Sequence, residues 1–177
     1  MKKSISFALC FIFLFAVAQQ TYAYALLGGK HKTNNLKFRI TDFNGTYDKV
    51  GKPLNNAIAD WNATSTKISF TSGGVGSEIT IKAKNFGNVS WSGRCTNYRD
   101  LIIAGNYTGS VIEGNLYYLN QNSYSANKVK GVWGHELGHA LGLAHVSGTN
   151  RLMYSTDART VYKPTSDEIN GVNSLYK

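Results

Sequence analysis

The sequence predicts a single domain of layered α and β structure, α/β or α+β, behind an apolar leader. Three observations carry that expectation. Segments that alternate apolar and polar residues, as half-buried strands do, fall mainly in the first half of the chain. Segments with apolar residues at helical spacing occur once within that half and twice after it. No repeat, low-complexity tract or linker divides the 177 residues, a length suited to one core.

Residues 1–25 are different in kind. Lys2 and Lys3 precede a mostly apolar run from Ile5 to Ala18, and small residues follow at Thr21, Ala23 and Ala25. This is the layout of a secretory signal peptide, cut after Ala23 or Ala25, with residues 26–177 as the exported domain. The run is roughly 14 residues, short of the ~20 that cross a bilayer. No later segment is apolar enough to span, so no integral membrane segment is expected in the mature chain.

Within the domain, NLKFRI (35–40) reads as the first strand. The first helix spans 53–65, with Pro53 suited to its first turn and Leu54, Ile58 and Trp61 on one face. Residues 67–71 and 78–83 read as two more strands, separated by the glycine-rich SGGVGS. The Gly, Asn, Ser and Tyr content of 85–124 indicates loops and short strands. There GNLYYLN (114–120) is the clearest strand, and either VSWSGRC (89–95) or LIIAG (101–105) supplies another. A second helix follows a Ser125 cap and buries Val129, Val132, Trp133, Leu137 and Ala140. A third starts at a Thr165 or Ser166 cap and turns Ile169, Val172 and Leu175 or Tyr176 inward.

The chain carries 19 basic and 10 acidic residues, a net charge of +9. Its Lys and Arg are scattered singly, with no basic run or basic helix face. That pattern indicates a basic soluble surface and no nucleic-acid partner. Without the leader, 17 basic residues would face 10 acidic ones, a balance suited to electrostatic association with an anionic cell envelope. Cys10 lies in the leader, which leaves Cys95 as a lone thiol with no intramolecular disulfide. A monomer is expected.

Three of the four histidines fall in WGHELGHALGLAH. Residues four apart on a helix lie about 40° apart around the axis and about 6 Å along it. His135 and His139 therefore present two imidazoles to one point. Gly142 can end the helix and reverse the chain, which lets His145 supply a third. Three protein ligands plus an open position are what a catalytic zinc requires, and Glu136 stands where its carboxylate can reach a water there. Isolated histidines are usually surface or satisfied core residues, but H-E-x-x-H-x-x-G-x-x-H fixes five positions at once.

HELGHALGLAH followed by LMYS resembles the metzincin zinc peptidases, in which a tight methionine turn lies beneath the metal. The likeness is strongest to the matrixins, since LLGGKHKTNNLKFRI, EITIKA and SDEINGVNSLY are similar to matrixin elements from the first strand to the last helix. This implies a twisted, mostly parallel sheet of about five strands on two long helices. A small C-terminal subdomain would carry the turn with Met153 and a last helix. It further implies that the wall after Met153, with Tyr154 and Tyr162, shapes the pocket for the residue following the cut. Asp167 and Glu168 would tether the new N-terminus and the turn, although acids in a first turn also simply favour the helix dipole.

The departures from the family carry information as well. Of the histidines that would hold a second, structural zinc only His31 remains, so that ion is not expected. Calcium needs six or more oxygen ligands, and between Thr71 and Leu116 the only acids are Glu78, Asp100 and Glu113. A calcium ion would have to rest on carbonyl groups. The leader runs straight into the domain and Cys95 lies within it, so no latency segment is expected. Ser155 stands where some metzincins have a further tyrosine ligand, so none is expected here. The implied function is a secreted zinc endopeptidase acting on protein or peptide substrates. The competing readings are a zinc hydrolase of a non-peptide amide and a secreted binding module that has lost catalysis. An open cleft beside a free strand edge favours the first over the second. The intact set of His135, Glu136, His139 and His145 speaks against the third.

Overall fold

A computed structural model describes residues 24–177; the expected leader lies almost wholly outside the described residues. The main sheet has six strands: β2 (Lys30–His31), β3 (Asn35–Phe43), β4 (Ser69–Ser72), β5 (Ile79–Lys84), β6 (Gly93–Arg99) and β7 (Asn106–Asn115). Its order is β2-β7-β5-β3-β4, all parallel, and β6 joins β7 antiparallel. A separate two-stranded ribbon pairs β1 (Ala25–Leu26) with β8 (Leu143–Ala144). The mostly parallel sheet is thus present, with one antiparallel strand beyond the five expected.

Helices α1 (Lys52–Asn62) and α3 (Ala126–Ala140) pack on each other and on the sheet. The buried faces of the sheet and the two helices form one core around Trp61, Trp133, Leu36, Ile79, Ile81 and Ile112. Both tryptophans reach across this core to backbone oxygens. Trp61 Nε1 donates to Gly134 O at 2.9 Å, and Trp133 Nε1 to Val50 O at 3.2 Å. An indole N–H buried without a partner would be costly, so these bonds fix how α1 and its preceding turn sit on α3. Ser125 caps α3 by accepting from Lys128 N, and Thr165 caps α4 (Ser166–Leu175).

Between residues 85 and 124 one expectation is corrected, and one open choice is decided in part for VSWSGRC. Of residues 114–120 only Gly114 and Asn115 are in a strand, the end of β7. Asn115 ends β7 and its side chain accepts from Tyr117 N, which starts the helical turn α2 (Leu116–Leu119). The strand lies earlier, from Asn106: Ser110, Ile112 and Gly114 are buried at a two-residue period, and Tyr107 is buried three residues before them. Leu101, Ile102 and Ile103 of the alternative LIIAG are exposed in the β6–β7 connection, and Gly93–Arg99 is the strand. Asp100 holds that connection by accepting from Ile102 N and Ile103 N.

Candidate metal centre and cleft

Helix α3 carries His135 and His139 one turn apart. It stops at Leu141, and Gly142 reverses the chain at φ +99°, where a Cβ would lie 2.2 Å from Gly29 O. No L side chain fits there, which is the local reason the chain folds back along β1 and brings His145 to the helix. His145 Nε2 lies 3.1 Å from His135 Nε2 and 3.0 Å from His139 Nε2.

The outer ring nitrogens explain the inner ones. His135 Nδ1 donates to Leu152 O and His139 Nδ1 to Leu143 O, each at 2.8 Å. A carbonyl can only accept, so both Nδ1 atoms hold the proton and both Nε2 atoms present bare lone pairs. Such lone pairs cannot hydrogen-bond one another, yet they converge with His145 on one point. Three nitrogens at ~2.0–2.1 Å from a tetrahedral ion would stand roughly 3.3 Å apart. The donor set therefore fits zinc, and the two carbonyl contacts are the outer bonds that hold such ligands in orientation. Burial pushes His135 well below its ordinary pKa and His139 down to about 4, which keeps both neutral and available as ligands.

Beneath the triad, Leu152 and Met153 are buried, and Met153 Sδ occupies the space a Cβ on Gly138 would need, 2.5 Å away. Val146 N donates to Met153 O at 3.0 Å, tying this turn to the segment that carries His145. Glu168 holds the same turn: its Oε1 accepts from Met153 N at 3.0 Å, while Oε2 accepts from Thr165 N at 2.8 Å and from Thr165 Oγ1. The capping and tethering roles of Glu168 coexist in its two oxygens. Asp167 is buried beside it and lies 3.8 Å from Arg151 Nη1.

Glu136 is 5% exposed. Burial raises its carboxyl from 4.5 to about 8, an effect opposed by Arg159 and reinforced by Asp157. Gly93, the first residue of β6, lies against it: a Cβ there would come within 2.8 Å of Glu136 Oε1. The edge strand can pass so close to the carboxylate only because Gly93 has no side chain.

A cavity of about 440 Å³ joins these parts. The triad and Glu136 form one side, Gly93, Arg94 and Cys95 of β6 another, and Ser155, Thr156, Asp157 and Arg159 a third. Tyr154 and Tyr162, expected in this wall, do not line it. Tyr154 bridges Val146, and the Tyr162 ring lies on α3 at Gly131, where a Cβ would meet its Cδ1 at 2.8 Å. Asp157 and Arg159 stand there instead. The available sequence signal was indirect: glycines inside a helix, at 131 and 138, mark close approach of another segment. Cys95 is a half-buried free thiol, raised in pKa by burial and then by Glu136. His31 is buried in β2 against Ser110 and Tyr107. The acids weighed for calcium have protein partners: Glu113 pairs with Arg94, Asp100 with Lys32, and Glu78 accepts from Lys37 N.

A parallel sheet backed by a helix that offers two imidazoles and a glutamate, with a third imidazole from the returning chain, defines the class of zinc metallopeptidases. Within that class the family model for matrixins matches residues 30–177, and the chain belongs to the matrixin family. Among solved structures it is similar to one described as the GM1 bound form of the ECX AB5 holotoxin. The TM-score is 0.57 at 13% identity, covering 88% of this chain and 89% of that one. At that identity the likeness is one of fold. No curated protein matches the chain.

Proposed function

We propose that the protein is an exported zinc endopeptidase whose general base is Glu136. The observation that carries this reading is the convergence of three Nε2 atoms beside a buried glutamate, on a cleft walled by a strand with a free edge. Bound zinc would supply Lewis acidity for the scissile carbonyl and acidify the attacking water. His135, His139 and His145 would hold the ion. Glu136 takes the proton of the water on its carboxylate and delivers it to the leaving amine.

Among the described residues no strand pairs with the outer edge of β6, and its backbone groups can serve an extended substrate, which favours a peptide over a small amide. Met153 serves as the methionine of the turn below the metal, held there by Glu168. Removal of the leader is supported by its composition, and the fold bears on where the cut would fall. Ala25 pairs with Ala144, and Tyr24 lies against Gly171, where a Cβ would be 3.2 Å from its ring. A cut after Ala23 keeps both contacts, so it is the favoured position. The basic surface then suits retention on an anionic cell envelope.

The test compares digestion of an unfolded protein by the mature zinc-loaded chain and by its Glu136→Gln variant. Cleavage by the first, with turnover about 10²–10⁴-fold lower in the second at unchanged zinc content, is the expected result. Absence of cleavage by the zinc-loaded parent would overturn the peptidase reading and favour a non-peptide amide as substrate.

A further inference from the structure

Arg159 is the anomaly of the cleft. It lines the cavity yet is only 5% exposed. Its stem passes over α3 at Gly131, where a Cβ would lie 3.6 Å from Arg159 Cδ, so the missing side chain gives it room. A guanidinium has five N–H donors and no other way to satisfy its charge. Here Nη2 reaches Tyr154 O at a long 3.5 Å, and Nη1 lies 3.4 Å from Asp157 Oδ1. Nε and Nη1 are buried with no hydrogen bond among the described residues. Asp157 is itself engaged elsewhere, because its Oδ2 accepts from Ser92 Oγ and, at 2.6 Å, from Tyr124 OH. A charge buried with most of its donors unspent is unfavourable unless something in the working protein completes it.

We propose that the cleft selects substrates with an acidic residue, Asp or Glu, immediately after the cut, and that Arg159 is the residue that determines this preference. The inference rests on the peptidase reading of the same site. On that reading, a substrate strand lying along β6 past the triad would place the side chain that follows the scissile bond in this cavity, where a carboxylate would meet the small exposed face of the Arg159 guanidinium and compensate its buried charge. Charge-assisted bonds of this kind are the strong ones, and arginine is the side chain suited to them. An apolar side chain would leave the guanidinium buried and incomplete, and a basic one would add a like charge. A site built around an unpaired polar group rejects analogues that fail to complete it far better than an apolar slot rejects a change of size. Asp157 faces the same space, but its bonds to Ser92 and Tyr124 hold one oxygen on the cavity wall and spread its charge.

The experiment profiles cut sites in a peptide library by mass spectrometry, using the zinc-loaded chain. It then compares two peptides that differ only in Glu or Gln after the cut. Enrichment of Asp and Glu at that position and at least a tenfold preference for Glu over Gln are expected. The preference should collapse towards unity in Arg159→Met and persist in part in Arg159→Lys. A parallel measurement needs no variant: a product-like peptide beginning with Glu should inhibit the parent at least tenfold better than one beginning with Gln. Cleavage with no acidic preference, or a preference unchanged in Arg159→Met, would overturn the inference and leave the peptidase reading standing. If the zinc-loaded chain cuts no peptide, both fall together.

Discussion

His145 shows how much a single residue depends on what surrounds it. It lies outside the helix and is exposed, whereas His135 is buried and His139 half-buried. Its place in the triad is fixed by Gly142 and by the turn that Met153 and Val146 share. Loss of the outer contacts of a zinc ligand already lowers affinity about 10–100-fold, so loss of a ligand should cost at least as much. His145→Ala should therefore bind zinc more weakly by at least about 10–100-fold, read by competition with a chelator. Unchanged affinity would remove His145 from the set. The triad was legible from sequence because helical spacing alone brings His135 and His139 together. Arg159 was not, since nothing local marks a surface-loop arginine as buried, and only Gly131 hints that another segment lies on the helix there.

At the scale of elements, legibility followed hydrophobic period. Helices α1, α3 and α4 read correctly because their apolar spacing is continuous and each begins at a recognisable start. Strand β7 was missed because Gly, Ser, Thr and Asn interleave its buried positions, and the Tyr-rich segment after it looked more like a strand. There Asn115 decides, because its side chain caps the turn and also holds Phe86 N at 3.0 Å. Helix α4 makes the testable case. Its capping glutamate, Glu168, receives Thr165 N, Thr165 Oγ1 and Met153 N, so it joins the helix start to the turn below the metal. Glu168→Ala leaves buried Met153 N without its acceptor and should lower stability by about 1–3 kcal/mol in denaturant unfolding. Thr165→Ala, which spares the Met153 bond, should cost only about 1 kcal/mol. Equal losses in the two variants would reduce Glu168 to a helix cap.

Across the whole molecule, the two ends of the domain meet around His31. Its backbone N–H donates to Tyr176 OH at 3.1 Å, its Nε2 meets Ser110 Oγ at 2.9 Å, and Lys30 Nζ donates to Leu175 O at 2.6 Å. This corner joins β2, β7 and the end of α4, so its protonation state bears on global stability. Burial pushes the imidazole from 6.5 down to about 4, and the negative charge of Glu78 opposes the shift only in part. The sign follows from proton binding. Above 6.5 both folded and unfolded forms are neutral, and the contribution to stability is complete. As the pH falls from 6.5 towards 4 the unfolded chain takes up a proton that the folded one refuses, so stability is lost in that window. Below 4 both forms are charged and the loss levels off. The zinc ligands titrate in acid as well, so the measurement must be a difference. His31→Phe removes the titration while Ser110 keeps its bond to Asn97 Oδ1 at 2.6 Å. Unfolding free energies of the parent and His31→Phe, taken from pH 7 to 4 in the same metal state, should diverge with a slope difference approaching one proton. Parallel profiles would mean that His31 is charged in the folded protein and that this corner tolerates the charge.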